Sequence, residues 1–160
     1  MTSGSEASSG KSGGVKIEMT GAALVRGDEA EVLQSPTDLI RLLVTDRGDV
    51  QVADITSTDR VGPPVHTQEW HEVEYVIDGE VEFWLDGSWH RLGPGGVQVL
   101  PAGVPHTVRV PEGEARILLV TIGAPFDAFI RDMVALDNDS TAPGSAKGEA
   151  ATRHGVNAVP

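Results

Sequence analysis

The sequence contains no cysteine, few aromatic residues and no long apolar run. Without cysteine the chain can form neither a disulfide nor a thiolate metal site, so any metal would be held by nitrogen and oxygen ligands. No stretch approaches the roughly 18 apolar residues that a membrane-spanning helix needs. Residues 1–14 are rich in Ser and Gly and lack the apolar segment of a secretory signal. We therefore expect a cytoplasmic protein with no membrane partner.

Basic residues are also scarce, with 12 Lys and Arg against 24 Asp and Glu, which gives a formal net charge of −12. A chain with this charge offers no basic stripe for phosphates, so nucleic acid is not an expected partner. A small molecule or a cation fits better. The 160 residues suit one domain and leave no room for a second full one.

The composition divides the chain into three parts. Residues 1–14 are too polar to fold and are predicted to form a disordered tail. Residues 15–136 are predicted to form the single domain. Residues 137–160 are predicted to form a polar C-terminal tail, with at most a weak turn of helix around 150–154.

Short runs rich in Val, Ile, Leu and Thr dominate the region from residue 15 to residue 122, and Gly, Pro or Asp-Gly separates them. This pattern is typical of an all-β fold, an antiparallel sandwich or barrel. The predicted strands are 22–26, 39–45, 50–55, 65–66, 72–77, 81–85, 88–92, 97–100, 106–110 and 116–122. Asp78-Gly79 and Asp86-Gly87 favour tight hairpins, so the three strands from 72 to 92 are predicted to form a meander.

After the last strand the apolar period changes to that of a helix. The apolar residues of 124–136 recur at i, i+3, i+4, i+7 and i+8, which predicts one amphipathic helix covering an outer sheet face. The residues of this stripe are Phe126, Phe129, Ile130, Met133 and Val134. A stripe of this kind is more often core packing than a cofactor site.

Strand alternation places several polar residues on shared faces. His66 and Gln68 share one face if the chain is extended there, and Glu72 and Glu74 share a face of the next strand. Buried His and Glu are costly unless they are paired or bind an ion, so an inward polar cluster argues for a ligand.

Two stretches of the chain resemble the two sequence motifs of the cupin family, in the usual order and 15 residues apart. The matching positions are His66, Glu72 and Gly79 in the first motif, and Gly95, Pro101, Gly103 and His106 in the second. The departures are Arg60 for a glycine, Gln68 for the second histidine and Val110 for an asparagine. The resemblance implies a cupin double-stranded β-helix, a jelly-roll barrel with one C-terminal α-helix packed outside. Among cupins it is closest to small single-domain proteins of the quercetin 2,3-dioxygenase-like group.

By this resemblance the metal ligands are His66, Glu72 and His106, with Gln68 as a weaker neutral donor, a partner of bound water or substrate, or no ligand. The cofactor is a divalent metal ion, and such nitrogen and oxygen ligands suit Fe, Mn, Ni, Co or Zn. Glu72 is also the candidate catalytic base, and Glu74 is a lesser one. On strand parity His71 faces away from Glu72 and serves as a reserve ligand.

The resemblance implies a metal-dependent dioxygenase-type oxidoreductase acting on a small cyclic enolic or phenolic substrate. Two alternatives stay open at this point. One is a non-oxidative metal-dependent isomerase, cyclase or decarboxylase, and the other is a non-catalytic cupin that binds a small ligand. Cupins of this kind are commonly dimers, so a homodimer is expected.

Overall fold

The computed structural model describes residues 22, 24–45, 49–123 and 125–160, which contain eleven strands and two helices. The strands are β1 (Glu31–Gln34), β2 (Asp38–Val44), β3 (Val50–Ser57), β4 (His66–Thr67), β5 (His71–Asp78), β6 (Val81–Leu85), β7 (Ser88–Leu92), β8 (Val97–Leu100), β9 (His106–Arg109), β10 (Ala115–Ile122) and β11 (Asn157–Ala158). The helices are α1 (Phe126–Asp137) and α2 (Ala146–Arg153). The tail predicted for residues 1–14 lies outside the described residues.

The strands form two antiparallel sheets. The large sheet has the order β1-β2-β3-β10-β5-β8, and the small sheet has the order β11-β4-β9-β6-β7. Buried residues of the two sheets pack together, with Val76 and Ile117 of the large sheet against Val81 and Phe83 of the small one. The two packed sheets and the helix that follows β10 confirm the predicted all-β class with a C-terminal helix.

Helix α1 begins two residues later than predicted and packs on the side of the large sheet that faces the small sheet. Its Phe126 and Val134 join a cluster with Ile40, Leu42 and Leu119 of the large sheet. The sequence prediction placed the helix over an outer face. The α1 stripe packs on apolar residues of this inward face, beside the cluster that the large sheet forms with the small one.

The two Asp-Gly turns have different outcomes. Asp86 and Gly87 both have positive φ and close the predicted hairpin between β6 and β7. The meander prediction was wrong, because β5 pairs with β10 and β8 while β6 pairs with β7 and β9. The chain therefore crosses between the sheets at Gly79, where φ is 75° and an added Cβ would lie 2.2 Å from the Glu114 carbonyl oxygen. Only glycine fits there.

Both ends of the described chain differ from the prediction. Residues 24–26 lie outside any strand, and Leu24 is 98% exposed. These residues favour a strand by type but do not pack on a sheet. The segment 137–160, predicted as a polar tail, instead supplies α2 and β11. Ala150 and Val156 are buried there, and β11 pairs with β4. A few small apolar residues therefore suffice to fold this segment onto the domain.

Edge strands remain at β1 and β8 in the large sheet. The predicted homodimer, which would cover such edges, stays a prediction. Neither α1 nor α2 has the length and hydropathy that a membrane crossing requires.

Candidate functional site

A cavity of about 220 Å³ lies between the sheets. All four residues that the sequence singled out as metal ligands line it: His66, Gln68, Glu72 and His106. They come from β4, the segment after it, β5 and β9. The two motifs therefore meet in space, while the ligand role of each residue stays a prediction.

The two histidines form a pair with matching hydrogen bonds. His66 and His106 are direct partners across β4 and β9, and their ring centroids lie 4.4 Å apart. The Nδ1 of His66 lies 2.8 Å from the Pro64 carbonyl oxygen, and the Nδ1 of His106 lies 2.9 Å from that of Val104. Because a carbonyl only accepts, each Nδ1 carries the donated hydrogen and each Nε2 keeps a free lone pair.

Burial keeps both rings neutral. Desolvation lowers the pKa of His66 and of His106 below the usual histidine value, although the carbonyl contacts oppose the shift. A neutral imidazole with its Nε2 lone pair free is the form that binds metal ions.

Glu72 is buried in the same cavity wall. Its Oε1 accepts a hydrogen bond of 2.8 Å from the Trp70 indole Nε1. Burial raises the pKa of Glu72 above its ordinary value, and the indole hydrogen bond opposes this. A carboxyl whose pKa is raised toward neutrality suits proton transfer to and from a ligand.

Backbone contacts join the two motif loops behind the site. The Gly103 N–H donates to the Gln68 carbonyl oxygen at 2.9 Å, and the Ala102 N–H donates to His71 Nδ1 at 3.1 Å. His71, the reserve ligand, is exposed and does not line the cavity. It therefore holds the second motif's loop. The Gln68 side chain is buried, and its Nε2 has no hydrogen-bond partner within the described part of the chain.

The donor set suits a divalent cation by its chemistry, with two neutral imidazoles, one buried carboxyl and one amide. The side-chain positions do not by themselves gather these donors. Within residues 24–45, 49–123 and 125–160, no three His, Asp or Glu side chains lie close enough together to hold a metal ion. Coordination of one ion by all of these donors requires side chains to move. The Glu72 carboxyl would have to give up its hydrogen bond with the Trp70 indole.

The sequence analysis missed the aromatic wall of the cavity. Phe126, Phe129 and Ile130 of α1 line it together with Trp70. The Trp70 ring lies 6.1 Å from that of Phe126 and 5.6 Å from that of Phe129. The helical stripe was interpreted as core packing, and it is both core and cavity wall. The available signal was its position directly after the last strand.

The buried polar residues on the cavity-side face of the large sheet also include Glu74, Gln98 and Thr121. Only Glu74 of these lines the cavity. The sequence analysis named Glu74 and missed the other two. For Gln98 the signal was its place between Val97 and Val99, both of which are exposed, so strand alternation turns the polar residue inward.

Comparison with known proteins agrees with this geometry. A family model described as a cupin domain matches residues 57–122. A quercetin 2,3-dioxygenase from Bacillus subtilis (strain 168) is 29% identical over 69 residues, which are 42% of this chain and 20% of that protein. The alignment thus spans about a fifth of the curated relative.

Solved structures share the fold at low identity. An RmlC-like cupin from Shewanella frigidimarina is 19% identical with a TM-score of 0.59, covering 67% of this chain and 96% of that one. The polyketide cyclase RemF from Streptomyces resistomycificus is 20% identical with a TM-score of 0.55, covering 63% and 79%. Residues 57–122 are thus similar to a cupin domain in sequence, and the two packed sheets, with the two motifs meeting at one cavity, are similar to cupins in fold.

Proposed function

We propose that the protein is a metal-dependent oxidoreductase of the dioxygenase type that acts on a small cyclic enolic or phenolic substrate. The observation that carries this proposal is the His66–His106 pair, with both Nδ1 atoms held by backbone carbonyls, in a cavity that also contains buried Glu72. The partial match to a quercetin 2,3-dioxygenase supports the reaction type.

The Nε2 atoms of His66 and His106 and the carboxyl of Glu72 would hold the metal, with Gln68 as a neutral fourth donor. Iron, manganese, cobalt, nickel and zinc all suit this set. A metal bound there supplies Lewis-acid polarisation of a substrate oxygen and, if it is redox-active, reaction with dioxygen.

The chain's own residues perform the remaining tasks. The carbonyls of Pro64 and Val104 fix the tautomer and orientation of the two rings. The wall of Trp70, Phe126 and Phe129 packs on a planar apolar ring and excludes water from it. Glu72 accepts the proton of a substrate hydroxyl, for which its raised pKa is suited.

Metal analysis of the purified protein, followed by oxygen uptake with flavonols and simple enols, tests the proposal. We expect a redox-active metal and uptake of oxygen. Zinc or manganese without uptake would favour the non-oxidative isomerase, cyclase or decarboxylase. A protein that binds no metal after supplementation would refute the metal-dependent proposal altogether.

The site assignment has its own test in a pair of histidine variants. His106→Ala should lower metal loading at least tenfold, because it removes one of two imidazole donors. His90→Ala is the matched control, since His90 is exposed on β7 and does not line the cavity. Equal metal content in both variants, measured by elemental analysis, would contradict the assignment. Gln68→His should tighten binding, because imidazole is a stronger donor than an amide.

A non-catalytic binding module is the second candidate. The specific observation in its favour is that Glu72 Oε1 is engaged by the Trp70 indole, while Gln68 stands where the family usually has an imidazole. This candidate predicts that small phenols bind without turnover, with or without added metal.

A further inference from the structure

Buried polar atoms without partners collect on the cavity-side face of the large sheet. Within the described part of the chain, Glu74 Oε2, both amide atoms of Gln98 and Thr121 Oγ1 are buried and make no hydrogen bond. Each such group costs about 1–3 kcal/mol when it is left unpaired. Native proteins leave few of them, and a bound water or ligand is a usual explanation.

The strand register brings these residues together. Glu74 on β5 lies opposite Gln98 on β8, and Thr121 on β10 lies opposite Glu72. Residues opposite each other on one sheet face have Cβ atoms about 5 Å apart. Glu74 is only 5% exposed, and it is the member of this group that lines the cavity. A molecule bound in the cavity is therefore within reach of the Glu74 side chain.

The proposed metal chemistry does not use Glu74, whose carboxyl adjoins that of Glu72 on the same strand. No ion pair with Lys or Arg involves it among the residues that the structure describes, and the nearest charged neighbour on its strand is Glu72. An apolar residue in place of Glu74 would remove this unpaired polar group from β5. The feature therefore points to a ligand.

We infer that Glu74 is a ligand-recognition residue whose carboxyl hydrogen-bonds a hydroxyl group of the bound molecule. The inference rests on the proposed function for the substrate class, a hydroxylated ring. A hydroxyl both donates and accepts, so it pairs with the carboxyl in either protonation state. The ring of the same molecule packs against the aromatic wall.

This inference predicts selectivity for a hydroxyl over its methyl ether. The methyl ether adds bulk and cannot donate a hydrogen bond, so it leaves the ionised carboxyl unpaired and can only accept from the protonated one. A site built to bind a hydroxyl discriminates against such an analogue by about tenfold or more.

The test is calorimetric binding of 2-naphthol and 2-methoxynaphthalene to the metal-free full chain. Both probes are small enough for the cavity, and neither chelates, so metal coordination cannot produce the preference. For the wild type we expect at least about tenfold tighter binding of 2-naphthol. Glu74→Leu should reduce the ratio to about 3 or less, while Glu74→Gln, which keeps a hydrogen-bonding group, should give an intermediate ratio. Glu114→Gln, an exposed carboxyl on the loop before β10, is the matched control and should match the wild type.

Three outcomes overturn the inference. The first is an affinity ratio near 1 in the wild type, as expected if Glu74 binds only an ordered water. The second is an affinity ratio in Glu74→Leu equal to that of the wild type. The third is that the wild type binds neither probe. Retained binding of 2-methoxynaphthalene by Glu74→Leu shows that the variant is folded. Failure of the proposed function would appear separately, as loss of metal loading or oxygen uptake with the selectivity ratio intact.

Discussion

Two buried carboxyls lie on opposite faces of the large sheet and have opposite surroundings. Asp54 on β3 is 7% exposed on the outer face, where the Arg116 Nε donates to it at 2.9 Å and Arg41 lies 3.9 Å away. Glu74 on β5 is 5% exposed on the cavity face and has an unpaired oxygen. The Arg116 hydrogen bonds lower the pKa of Asp54, whereas burial and the Glu72 carboxyl raise the pKa of Glu74 well above its ordinary value.

The Asp54 ion pair stabilises the fold, whereas the unpaired Glu74 carboxyl is available to a ligand. The Asp54 pair replaces the hydration that the buried carboxylate has lost with charge-assisted hydrogen bonds from Arg116. Glu74 has lost its hydration without a replacement, so the folded state is less stable than it would be with an apolar residue there. An unpaired polar group inside a cavity is therefore a better functional signal than a buried ion pair.

Removing the cation on the outer face should give the largest effect. Arg116→Met should lower the free energy of unfolding at pH 7 by about 2 kcal/mol, because Asp54 then stays buried with only the more distant Arg41. Since the pKa of Asp54 is lowered in the folded state, this contribution is present above the unfolded pKa and is lost as pH falls through the folded pKa. Urea titrations at pH 7 and pH 3 measure it. Arg26→Met, at an exposed pair, should change stability by less than about 0.5 kcal/mol.

Neutralising the inner carboxyl should have the opposite sign. Glu74→Gln should raise the free energy of unfolding of the metal-free protein by about 1 kcal/mol at pH 7.5. The pKa of Glu74 is raised in the folded state, so the wild type loses stability as pH rises above the unfolded value near 4.5, and the gain should vanish at pH 4. A destabilised Glu74→Gln at pH 7.5 would mean that the carboxyl has a partner in the fold.

Two buried threonines give the smallest contrast. Thr121 Oγ1 is unpaired, so Thr121→Val should leave stability unchanged or raise it by about 0.5 kcal/mol. Thr107 Oγ1 donates to the Pro63 carbonyl oxygen at 2.6 Å, so Thr107→Val should lower stability by about 1 kcal/mol. Thermal unfolding of both variants measures the difference, and equal melting temperatures would remove the distinction.

The strands were predictable where local signals define them. The bounds of β6, β7 and β8 equal the predicted ones, because tight turns or Gly and Pro limit each of these strands. The pairing at Gly79 was not predictable, since the same Asp-Gly pair closes a hairpin at residue 87 and crosses between sheets at residue 79. Which sheet a strand joins depends on contacts far along the chain, such as β5 with β10.

In the candidate site, too, local sequence signals were predictive and contacts between distant strands were not. The resemblance to the two motifs predicted that His66, Glu72 and His106 meet, and all three line one cavity. Strand parity put Glu72 and Glu74 on one face, and both are buried. The neighbours of these residues escaped the sequence analysis, because they belong to β8, β10 and α1. Only the register between distant strands brings Gln98 beside Glu74.

The position of β4 in the small sheet has a consequence for experiments on fragments. Strand β4, which carries His66, has β9 on one side and β11 on the other. The segment that matches the cupin-domain model ends at residue 122, before the α1 residues of the aromatic wall and before β11. A protein trimmed to that segment would keep the histidines and lose both β11, the strand beside His66, and the α1 side chains that line the cavity. The cavity as the structure shows it therefore needs the chain through residue 158.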